Sequence, residues 1–582
     1  MSGAAPIYLD YAATTPVDPR VAAVMAGYLT SQGVFGNAAS ASHAYGREAA
    51  ACLEAARAEV AALIGAPPEA IVFTSGATEA DNLAVLGIAR GLADRGRHLV
   101  TLRTEHKAVL DPCRRLEKEG YSVTWLEPGR DGRLDPEVLR KALRADTVLV
   151  SIMHANNEIG VVQDLAAMAA ICRSHDVLLH SDAAQAAARI RLEVDALGVD
   201  LLSLSAHKLY GPKGIGALYV SPAARPWLLP LGWGGGHERG LRPGTPATHQ
   251  AAGFAAAARV LRAARAEEEP RLAALGRRLE AALADTPGVV FNGHREHRLP
   301  GLVSVSFRDV EGESLVAGLP GLALSSGAAC DSASGEPSYV LRALGHPPEL
   351  AQSTLRLSLG RFTTAAEVDQ AAQAIDREVR RLAAVAPEDP AADRVVPPAP
   401  APAPAPAPAS APISAAVVGV PHQDAAAADA AALGSAAAAT DWRAPQAPPL
   451  LTERVWRLFR DLPGAGAPAP GSGAWIRGRA GSRREGAEVV FHLQCATDGT
   501  VSGVRYQVFG CPHTLATTAW VAARLQGRHL ARLVPGTPLE WAEVLEVPAT
   551  KLGRLLRIED ALHAVVAACR QSGGLHDARA TT

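Results

Sequence analysis

The sequence predicts an α/β protein with a mostly parallel sheet, joined through a linker to a small α+β domain. Up to about residue 388, short apolar runs alternate with amphipathic, alanine-rich stretches. Strands that are apolar along their whole length are typical of parallel sheets buried on both faces, and their alternation with helices is the pattern of a layered α/β domain. The composition then changes to proline and alanine before a further segment of globular composition follows.

Four apolar runs are the predicted strands of the sheet, and between them "ADNLAVLGIARGLADRG" (80–96) has the period of a helix. The strands are "AIVFTSG" (70–76), "HLVTLRTEH" (98–106), "DTVLVSIMHANNE" (146–158) and "VLLHSDAAQ" (177–185). We expect this first unit to span residues 1–388, with a large domain at 21–264 and a small domain formed by 1–20 and 265–388.

A linker is predicted at residues 389–449, because "VVPPAPAPAPAPAPASAP" (395–412) can form neither a helix nor a central strand and favours extended polyproline II. A second unit is expected at 450–582. It opens with the amphipathic "LLTERVWRLFRDL" (450–462). The segment "EVVFHLQCATDGTVSGVRYQVFG" (488–510) then predicts two paired strands around an Asp-Gly turn.

Charge, hydropathy and cysteine spacing argue against several classes of function. Lys and Arg number 57 against 59 Asp and Glu, for a net charge of -2, so no basic field exists to attract nucleic acid. No apolar run is long enough to span a bilayer, and no signal peptide is recognisable. Seven cysteines without a C-x-x-C pair predict neither a disulfide framework nor a metal site. We therefore expect a reduced, cytoplasmic protein.

Polar residues follow the predicted strands at the edge where α/β sheets bind ligands. In "FTSGATEADN" a strand runs into a helix at Ala77 and Thr78, and backbone N–H groups at a helix start can hold a phosphate. Thr78 can equally be a simple helix cap. His106 ends the next strand, where a histidine is more often structural than functional.

An acid and a lysine end two further strands. Asp182 ends a strand that begins with three apolar residues, and a buried position there is costly for a carboxylate unless it meets a partner; Gln185 comes one turn later. Ser205, His207 and Lys208 end the other strand. A lone lysine at a strand end is usually only solvated. Together with a phosphate cradle, however, these residues fit pyridoxal phosphate, which needs an amine, a carboxylate on its ring nitrogen and a phosphate site.

Seven segments, in order, make the chain resemble the pyridoxal-phosphate cysteine desulfurases, most closely the housekeeping type that serves iron–sulfur cluster assembly. They are "YLDYAATTPVDPRV", "FTSGATEADN", "TEHKAVL", "SIMHANNEIGVVQD", "SAHKLYGPKGIGALYV", "GGGHERGLRPGT" and "SSGAACDSASGEPSYVLRALG". The resemblance covers about residues 6–385. It implies fold type I of pyridoxal-phosphate enzymes, similar to class V aminotransferases, and a homodimer that converts L-cysteine to L-alanine.

The resemblance also implies a role for each matching residue. Lys208 matches the lysine that binds the cofactor covalently, His106 the residue stacked on its ring, and Asp182 the carboxylate on the ring nitrogen. Arg356 matches the arginine that holds the substrate carboxylate. The remaining cofactor contacts implied are Gln185 and Asn157 near the phenolic oxygen, with Asn157 also near substrate, and Ala77, Thr78, Ser205, His207 and the second subunit's equivalent of Thr245 around the phosphate.

Cys330 is the expected sulfur carrier. A cysteine is usually a small buried hydrophobe, but Cys330 stands among glycine, serine and alanine, a loop composition. By resemblance its thiolate attacks the sulfur of the bound cysteine and becomes a persulfide, which is passed to an acceptor such as an iron–sulfur scaffold protein.

The second unit resembles, more faintly, the scaffold protein on which iron–sulfur clusters are assembled. The likeness rests on "VRYQVFGCPHTLATTAW" and "RIEDALHAVV". Only Cys511 is kept of the scaffold's ligands. Glu485, Ala487, Gly553 and Arg554 stand at the other four positions, and a cluster generally needs several thiolates. We therefore expect a degenerate scaffold that either relays sulfur through Cys511 or acts as a docking and regulatory module.

Two alternatives remain at the level of the sequence. A selenocysteine lyase or a class V aminotransferase could use the same fold, although an aminotransferase needs no thiol at Cys330. From another class, the chain could be a non-catalytic regulatory or docking protein, as the loss of ligands in the second unit suggests.

Overall fold

The structure, a computed structural model, describes residues 5–326, 336–387 and 451–571. Its strands are β1 (Ile7–Tyr8), β2 (Ile71–Thr74), β3 (His98–Leu102), β4 (Ser122–Leu126), β5 (Thr147–Ser151), β6 (Leu178–Asp182), β7 (Leu201–Ser205), β8 (Gly216–Val220), β9 (Val289–Phe291), β10 (Leu302–Phe307), β11 (Leu322–Ala323), β12 (Ser325–Ser326), β13 (Thr354–Ser358), β14 (Ile476–Ser482), β15 (Ala487–Cys495) and β16 (Val501–Phe509).

The helices alternate with these strands in the first part of the chain and close the last part. They are α1 (Pro19–Ala26), α2 (Ala44–Leu63), α3 (Ala77–Gly91), α4 (Lys107–Lys118), α5 (Pro136–Ala142), α6 (Leu165–Ser174), α7 (Val194–Leu197), α8 (Thr248–Leu283), α9 (Gly312–Ala317), α10 (Tyr339–Ala343), α11 (Pro348–Gln352), α12 (Ala365–Val385), α13 (Glu453–Asp461), α14 (Pro512–Ala522), α15 (Pro538–Leu545) and α16 (Leu552–Gln571).

A seven-stranded sheet in the order β2-β8-β7-β6-β5-β3-β4 forms the large domain. The pairs from β4 through β7 are parallel, and only β8 runs antiparallel to its neighbours. Alternate residues are buried on opposite faces, with Leu99 and Leu149 packed against α3 and Val100 and Val150 in the cluster on the other face. The predicted mostly parallel sheet, apolar on both faces, is confirmed.

The small domain contains a four-stranded antiparallel sheet in the order β12-β13-β10-β9 and the two-stranded β1–β11 pair. α8 begins in the large domain, runs without interruption for 36 residues and packs against α12 of the small domain. This arrangement brings β13 and the N-terminal residues after β1 to the edge of the large sheet.

Residues 451–571, which we call the C-terminal module, have a three-stranded antiparallel sheet, β14-β15-β16, covered by helices. The predicted strand pair is confirmed, because β15 and β16 are antiparallel partners on either side of Asp498 and Gly499. Gly499 has a φ of 82° and the Asp498 carboxylate accepts the N–H of Thr500 at 2.8 Å, as an Asp-Gly turn requires. The predicted linker lies outside the described residues.

The C-terminal module packs directly on the small domain. Val508 and Leu515 of the module share one apolar cluster with Val379 and Leu382 of α12. Ser314 of α9 donates a hydrogen bond to the carbonyl oxygen of Gly510 at 2.7 Å. Apolar burial of this kind is the main stabilising term in domain association.

Among the described residues, no helix is long and apolar enough to cross a membrane.

Candidate active site

A cavity of about 700 Å³ opens at the carboxyl ends of the central strands of the large sheet. The fold gathers ten of the predicted site residues around it from the ends of β3, β5, β6 and β7, the start of α3 and the middle of β13. These residues are Ala77, Thr78, His106, Asn157, Asp182, Gln185, Ser205, His207, Lys208 and Arg356.

Lys208 reaches the cavity from a short 3-10 turn that follows β7. Its Nζ atom donates hydrogen bonds to the carbonyl oxygens of Ala12 at 2.5 Å and Ala13 at 2.8 Å. The Gln185 amide donates to the same Ala12 oxygen at 2.8 Å. The carbonyl oxygens of the N-terminal segment after β1 therefore hold the Lys208 amine in position. Lys213 also lines the cavity.

Asp182 is the buried carboxylate of the cavity. It ends β6 and accepts the N–H of Ala184 at 2.8 Å. Burial raises the pKa of Asp182 to about 6, the nearby Asp81 carboxyl adds to this rise, and His106 opposes it. His106 caps α4 by accepting the Ala108 N–H at 3.1 Å, and burial lowers the pKa of its imidazole.

The opposite end of the cavity offers hydrogen-bond donors. The N-cap residue of α3 is Gly76, which supplies no capping side chain, so the first N–H groups of the helix have no such partner. Thr78 and Ser205 lie beside them on the cavity wall. His207 is held by a hydrogen bond between its Nδ1 and the Thr14 hydroxyl at 3.0 Å, and burial lowers its pKa to about 4.

Arg356 projects into the cavity from β13 and is buried. Its guanidinium donates to the carbonyl oxygen of Asn157 at 3.0 Å, to the Asp10 carboxylate at 2.8 Å and to the Ser325 hydroxyl at 2.9 Å. The Nε–H group has no hydrogen-bond partner. A buried, incompletely paired guanidinium is suited to binding a carboxylate.

The donor set fits pyridoxal phosphate. The uncapped start of α3 suits the phosphate, Asp182 suits a protonated ring nitrogen, and Lys208 supplies the amine between these two ends. When bound, the cofactor supplies an electron-accepting ring that stabilises negative charge on the substrate's α-carbon. His106 and Gln185 lie where they can orient the ring.

Two of the predicted residues that the structure describes, Thr245 and Cys511, are not in this cavity. Thr245 lies in the segment before α8, outside the cavity of its own chain, and its neighbours Gly244 and Pro246 line a separate, smaller pocket. Cys330 lies outside the described residues. Cys511 belongs to the C-terminal module.

Asp10 and Asp81 line the cavity but were not singled out from the sequence. Asp10 follows β1 and pairs with Arg356, and "YLDYAATTP" shows a charge directly after a short apolar strand. Asp81 lies on α3 and is fully buried. In the sequence, Asp81 can be recognised as an acidic residue on the apolar face of the helix predicted at 80–96.

Cys511 is also completely buried, and it caps the start of α14. Its sulfur lies 3.3 Å from the Thr514 hydroxyl. Arg554 lies against Gly486 and close to the Cys511 sulfur.

Carboxylates of the small domain complete this cluster. Glu311 accepts from Arg554 at 3.4 Å, and Glu313 accepts from Lys551 at 2.6 Å. Asp309 pairs with Arg483 beside them. Burial, then the nearby Cys511 and Glu313, raise the pKa of Glu311 to about 8. The space beside Cys511 is thus occupied by a guanidinium and the carboxyl groups of Glu311 and Glu313. Within the part of the chain that the structure describes, no cluster of three His, Cys, Asp or Glu could bind a metal.

The aminotransferase class V family model matches residues 7–371. The chain belongs to this family. Class V enzymes on this scaffold use pyridoxal phosphate, in agreement with the donor set of the cavity. The match ends before the C-terminal module, so the scaffold-like character of the module is not established by it.

Similar proteins of the family include cysteine desulfurases. The chain is 56% identical over 382 residues to the cysteine desulfurase IscS of Aeromonas hydrophila, covering 66% of this chain and 95% of that protein. It is 55% identical to the IscS of Methylococcus capsulatus, with 66% and 94% covered. A solved NifS-like protein superimposes with a TM-score of 0.60 at 33% identity, covering 65% of this chain and 100% of that one.

Proposed function

We propose that this class V protein is a cysteine desulfurase that uses pyridoxal phosphate to convert L-cysteine to L-alanine and passes the sulfur on as a persulfide of Cys330. The observation that carries the proposal is the convergence of the Lys208 amine, the Asp182 carboxylate and the Arg356 guanidinium on one cavity. The similarity to IscS proteins supports it. Iron–sulfur cluster assembly is the process that such an activity serves.

Each residue has a definite task in this reaction. Lys208 would hold the cofactor through its amine, and the same amine can move protons at the substrate's α-carbon. Arg356 binds the substrate carboxylate, which can join or displace Asp10 at the guanidinium. The bond between the β-carbon and the sulfur of cysteine then breaks. The sulfur becomes the outer atom of the Cys330 persulfide, and the β-carbon takes up a proton to form alanine. His106, with its lowered pKa, is neutral at physiological pH and can accept or donate a proton.

The test measures alanine and sulfide from L-cysteine in the presence of a thiol reductant. The intact chain should form both in equal amounts, and Cys330→Ala should form neither. Cys52→Ala, which changes a half-buried thiol elsewhere in the large domain, should behave as the intact chain. Release of a keto acid in place of alanine would contradict the proposal and favour the aminotransferase. Alanine from selenocysteine but not from cysteine would favour the lyase.

We further propose that the enzyme acts as a homodimer in which Thr245 completes the partner's site. The large domain exposes apolar side chains that an isolated chain would not leave in water: Leu29, Phe35, Tyr45, Trp227, Leu229, Leu231 and Trp233, with Trp233 84% exposed. Mixing Lys208→Ala chains with Thr245→Ala chains should restore activity, because one site of each mixed dimer keeps both residues. Unchanged activity of Thr245→Ala alone would contradict a shared site.

The C-terminal module acts, in this proposal, as a docked partner rather than as a sulfur relay. A relay needs a reachable thiol, whereas Cys511 is completely buried, close to Arg554, at the contact with the small domain. The basic residues Arg483, Lys551 and Arg554 cover the acidic residues Asp309, Glu311 and Glu313. The module thereby occupies a surface that would suit a separate sulfur acceptor with a basic face. The protein's free cysteines fit a reducing compartment such as the cytoplasm.

Persulfide mapping after one turnover separates the two roles. Docking predicts a persulfide at Cys330 and none at Cys511. A Cys511 persulfide that disappears in Cys330→Ala would contradict docking and establish the relay. Two variants serve as matched controls for docking. Lys551→Glu removes the ion pair with Glu313 and should weaken the contact between the module and the small domain. The double variant Lys551→Glu/Glu313→Lys should restore the ion pair.

A further inference from the structure

Behind Asp182 lies a second buried acid, Asp81, to which the proposed reaction assigns no task. Asp81 projects from α3 toward β6, is fully buried and lines the cavity. Neither of its carboxylate oxygens has a hydrogen bond that meets the usual geometry. An ionised carboxylate without such bonds is strongly destabilised in a protein interior.

His180 lies next to this acid. It is two residues before Asp182 on β6, so that both side chains face α3. Its Nε2 atom is 3.5 Å from an Asp81 carboxylate oxygen and 3.0 Å from the Ser203 hydroxyl, and its Nδ1 atom is 2.8 Å from the Ser151 hydroxyl. Burial lowers the pKa of His180 to about 4, so this imidazole is neutral and one of its nitrogens accepts.

The proton balance of the pair follows from these contacts. In the tautomer with its proton on Nδ1, that nitrogen donates to Ser151, and the Nε2 lone pair of His180 faces the Ser203 hydroxyl and Asp81, so that the O–H of a protonated Asp81 can be directed at it. Burial raises the pKa of Asp81 to about 7, above that of Asp182. Two interacting carboxyl groups titrate at separated pH values, so one holds the proton while the other is ionised.

The other charged and titratable groups near Asp81 do not supply it with a cation in direct contact. Those whose charges act together with that of Asp81 are Asp182 on β6 and Glu105 after β3, and the Ser203 hydroxyl is a further polar neighbour. Glu105 has its own partner, the Met153 N–H at 2.7 Å. Asp81 is therefore the acid whose protonation state acts most directly on Asp182.

We propose that Asp81 is a positioning residue for Asp182: it keeps a proton directed at His180, so that Asp182 alone carries the negative charge at the cofactor ring nitrogen. This inference rests on the proposed use of pyridoxal phosphate but not on the identity of the substrate. If Asp81 were ionised as well, two like charges would share one buried site, and the ring nitrogen would hold its proton more tightly than a single carboxylate requires.

Infrared spectroscopy of the cofactor-loaded protein tests the proton directly, without turnover. A protonated carboxylic acid gives a carbonyl-stretch band well separated from those of carboxylates. Asp81→Asn should remove one such band at a pH below about 7, where Asp81 holds its proton. Glu105→Gln, which changes another fully buried carboxyl, should remove a different band and leave the Asp81 band in place. An unchanged band in Asp81→Asn would overturn the proposal.

If Asp81→Asn does not fold, a pH titration of the unchanged protein tests the same proposal. The Asp81 band should be lost as the pH rises through about 7, and the visible absorption of the bound cofactor should shift with the same midpoint, because a new charge appears next to Asp182. If the visible absorption of the cofactor does not change while the infrared band of Asp81 is lost, the coupling of Asp81 to Asp182 is contradicted. Failure of the desulfurase proposal would leave both readouts unaffected.

Discussion

The cavity of the large domain and the cluster around Cys511 contain the same kinds of side chain but differ in what is left to bind. In the cavity, the start of α3 has no capping side chain, and the Arg356 Nε–H is buried without a hydrogen-bond partner. Around Cys511, the sulfur lies against the Thr514 hydroxyl, and the Arg554 guanidinium is paired with the Glu311 carboxyl group. Polar groups that are paired with each other stabilise a contact, whereas groups that converge on a void are free to bind a ligand. The cavity therefore has the character of a ligand-binding site, and the cluster around Cys511 has that of a contact between two domains.

Lys208→Ala should have the largest effect, because it removes the amine on which cofactor binding and proton transfer depend. We expect a loss of cysteine turnover of at least about a thousandfold and loss of covalently bound cofactor, measured by alanine formation and by retention of visible absorption on dialysis. Lys213→Ala, a change at another lysine of the same cavity, should retain most of the activity. Equal losses in both variants would mean that the cavity needs positive charge rather than one particular amine.

Arg356→Lys should come next, because a lysine cannot reproduce the two-point contact of a guanidinium with a carboxylate. Loss of one charge-assisted hydrogen bond, worth about 1.5–3 kcal/mol, predicts a fall in kcat/KM for L-cysteine of roughly 10- to 150-fold. Arg271→Lys is the matched control, since Arg271 binds only backbone carbonyl oxygens of residues 360–363. It should alter thermal stability and leave kcat/KM nearly unchanged.

Docking of the C-terminal module should weaken as the pH rises. Contact with the module buries Glu311 and raises its pKa from 4.5 to about 8, so the docked state binds more protons than the undocked state between these values. The stabilisation is complete below about pH 4.5 and is lost as the pH approaches 8. Hydrogen exchange of β16 and α14 should therefore accelerate over this interval, and Glu311→Gln should remove the dependence. Slower exchange at higher pH would contradict the sign.

Cys511→Ala should have the smallest effect on catalysis. Removing a buried thiol should destabilise the module by about 1 kcal/mol, seen as a small shift of its unfolding transition, while the rate of alanine formation stays within about twofold of the intact chain. Cys495→Ala, at the partly buried end of β15, is the control for a module thiol away from Arg554. A large loss of turnover in Cys511→Ala alone would move Cys511 from the docked contact into the reaction.

The sequence predicts much of the cavity because strand ends in a parallel sheet meet at one edge. Asp182, His106 and Lys208 each follow an apolar run, so their convergence can be predicted from the strand pattern. Asp81 could not be predicted as a partner of His180, because that contact depends on how α3 crosses the sheet.

The contact between the C-terminal module and the small domain could not be predicted from the sequence for a similar reason. Asp309, Glu311 and Glu313 stand in "FRDVEGES", which has the composition of a solvated loop. Their partners Arg483 and Arg554 follow more than 170 residues later, and only the packing of the C-terminal module against α9 and α12 brings them together. Contacts between charges so distant in sequence leave no periodic signal.

The apolar cluster that joins α12 to β16 and α14 has a consequence for stoichiometry. A partner encoded as a separate chain fills a docking surface only to the degree that its concentration and affinity allow. A partner in the same chain is supplied at one copy per active site, whatever the level of expression. The ratio of module to enzyme is thereby fixed when the chain is synthesised, and a competing acceptor would have to displace a neighbour that is never diluted away.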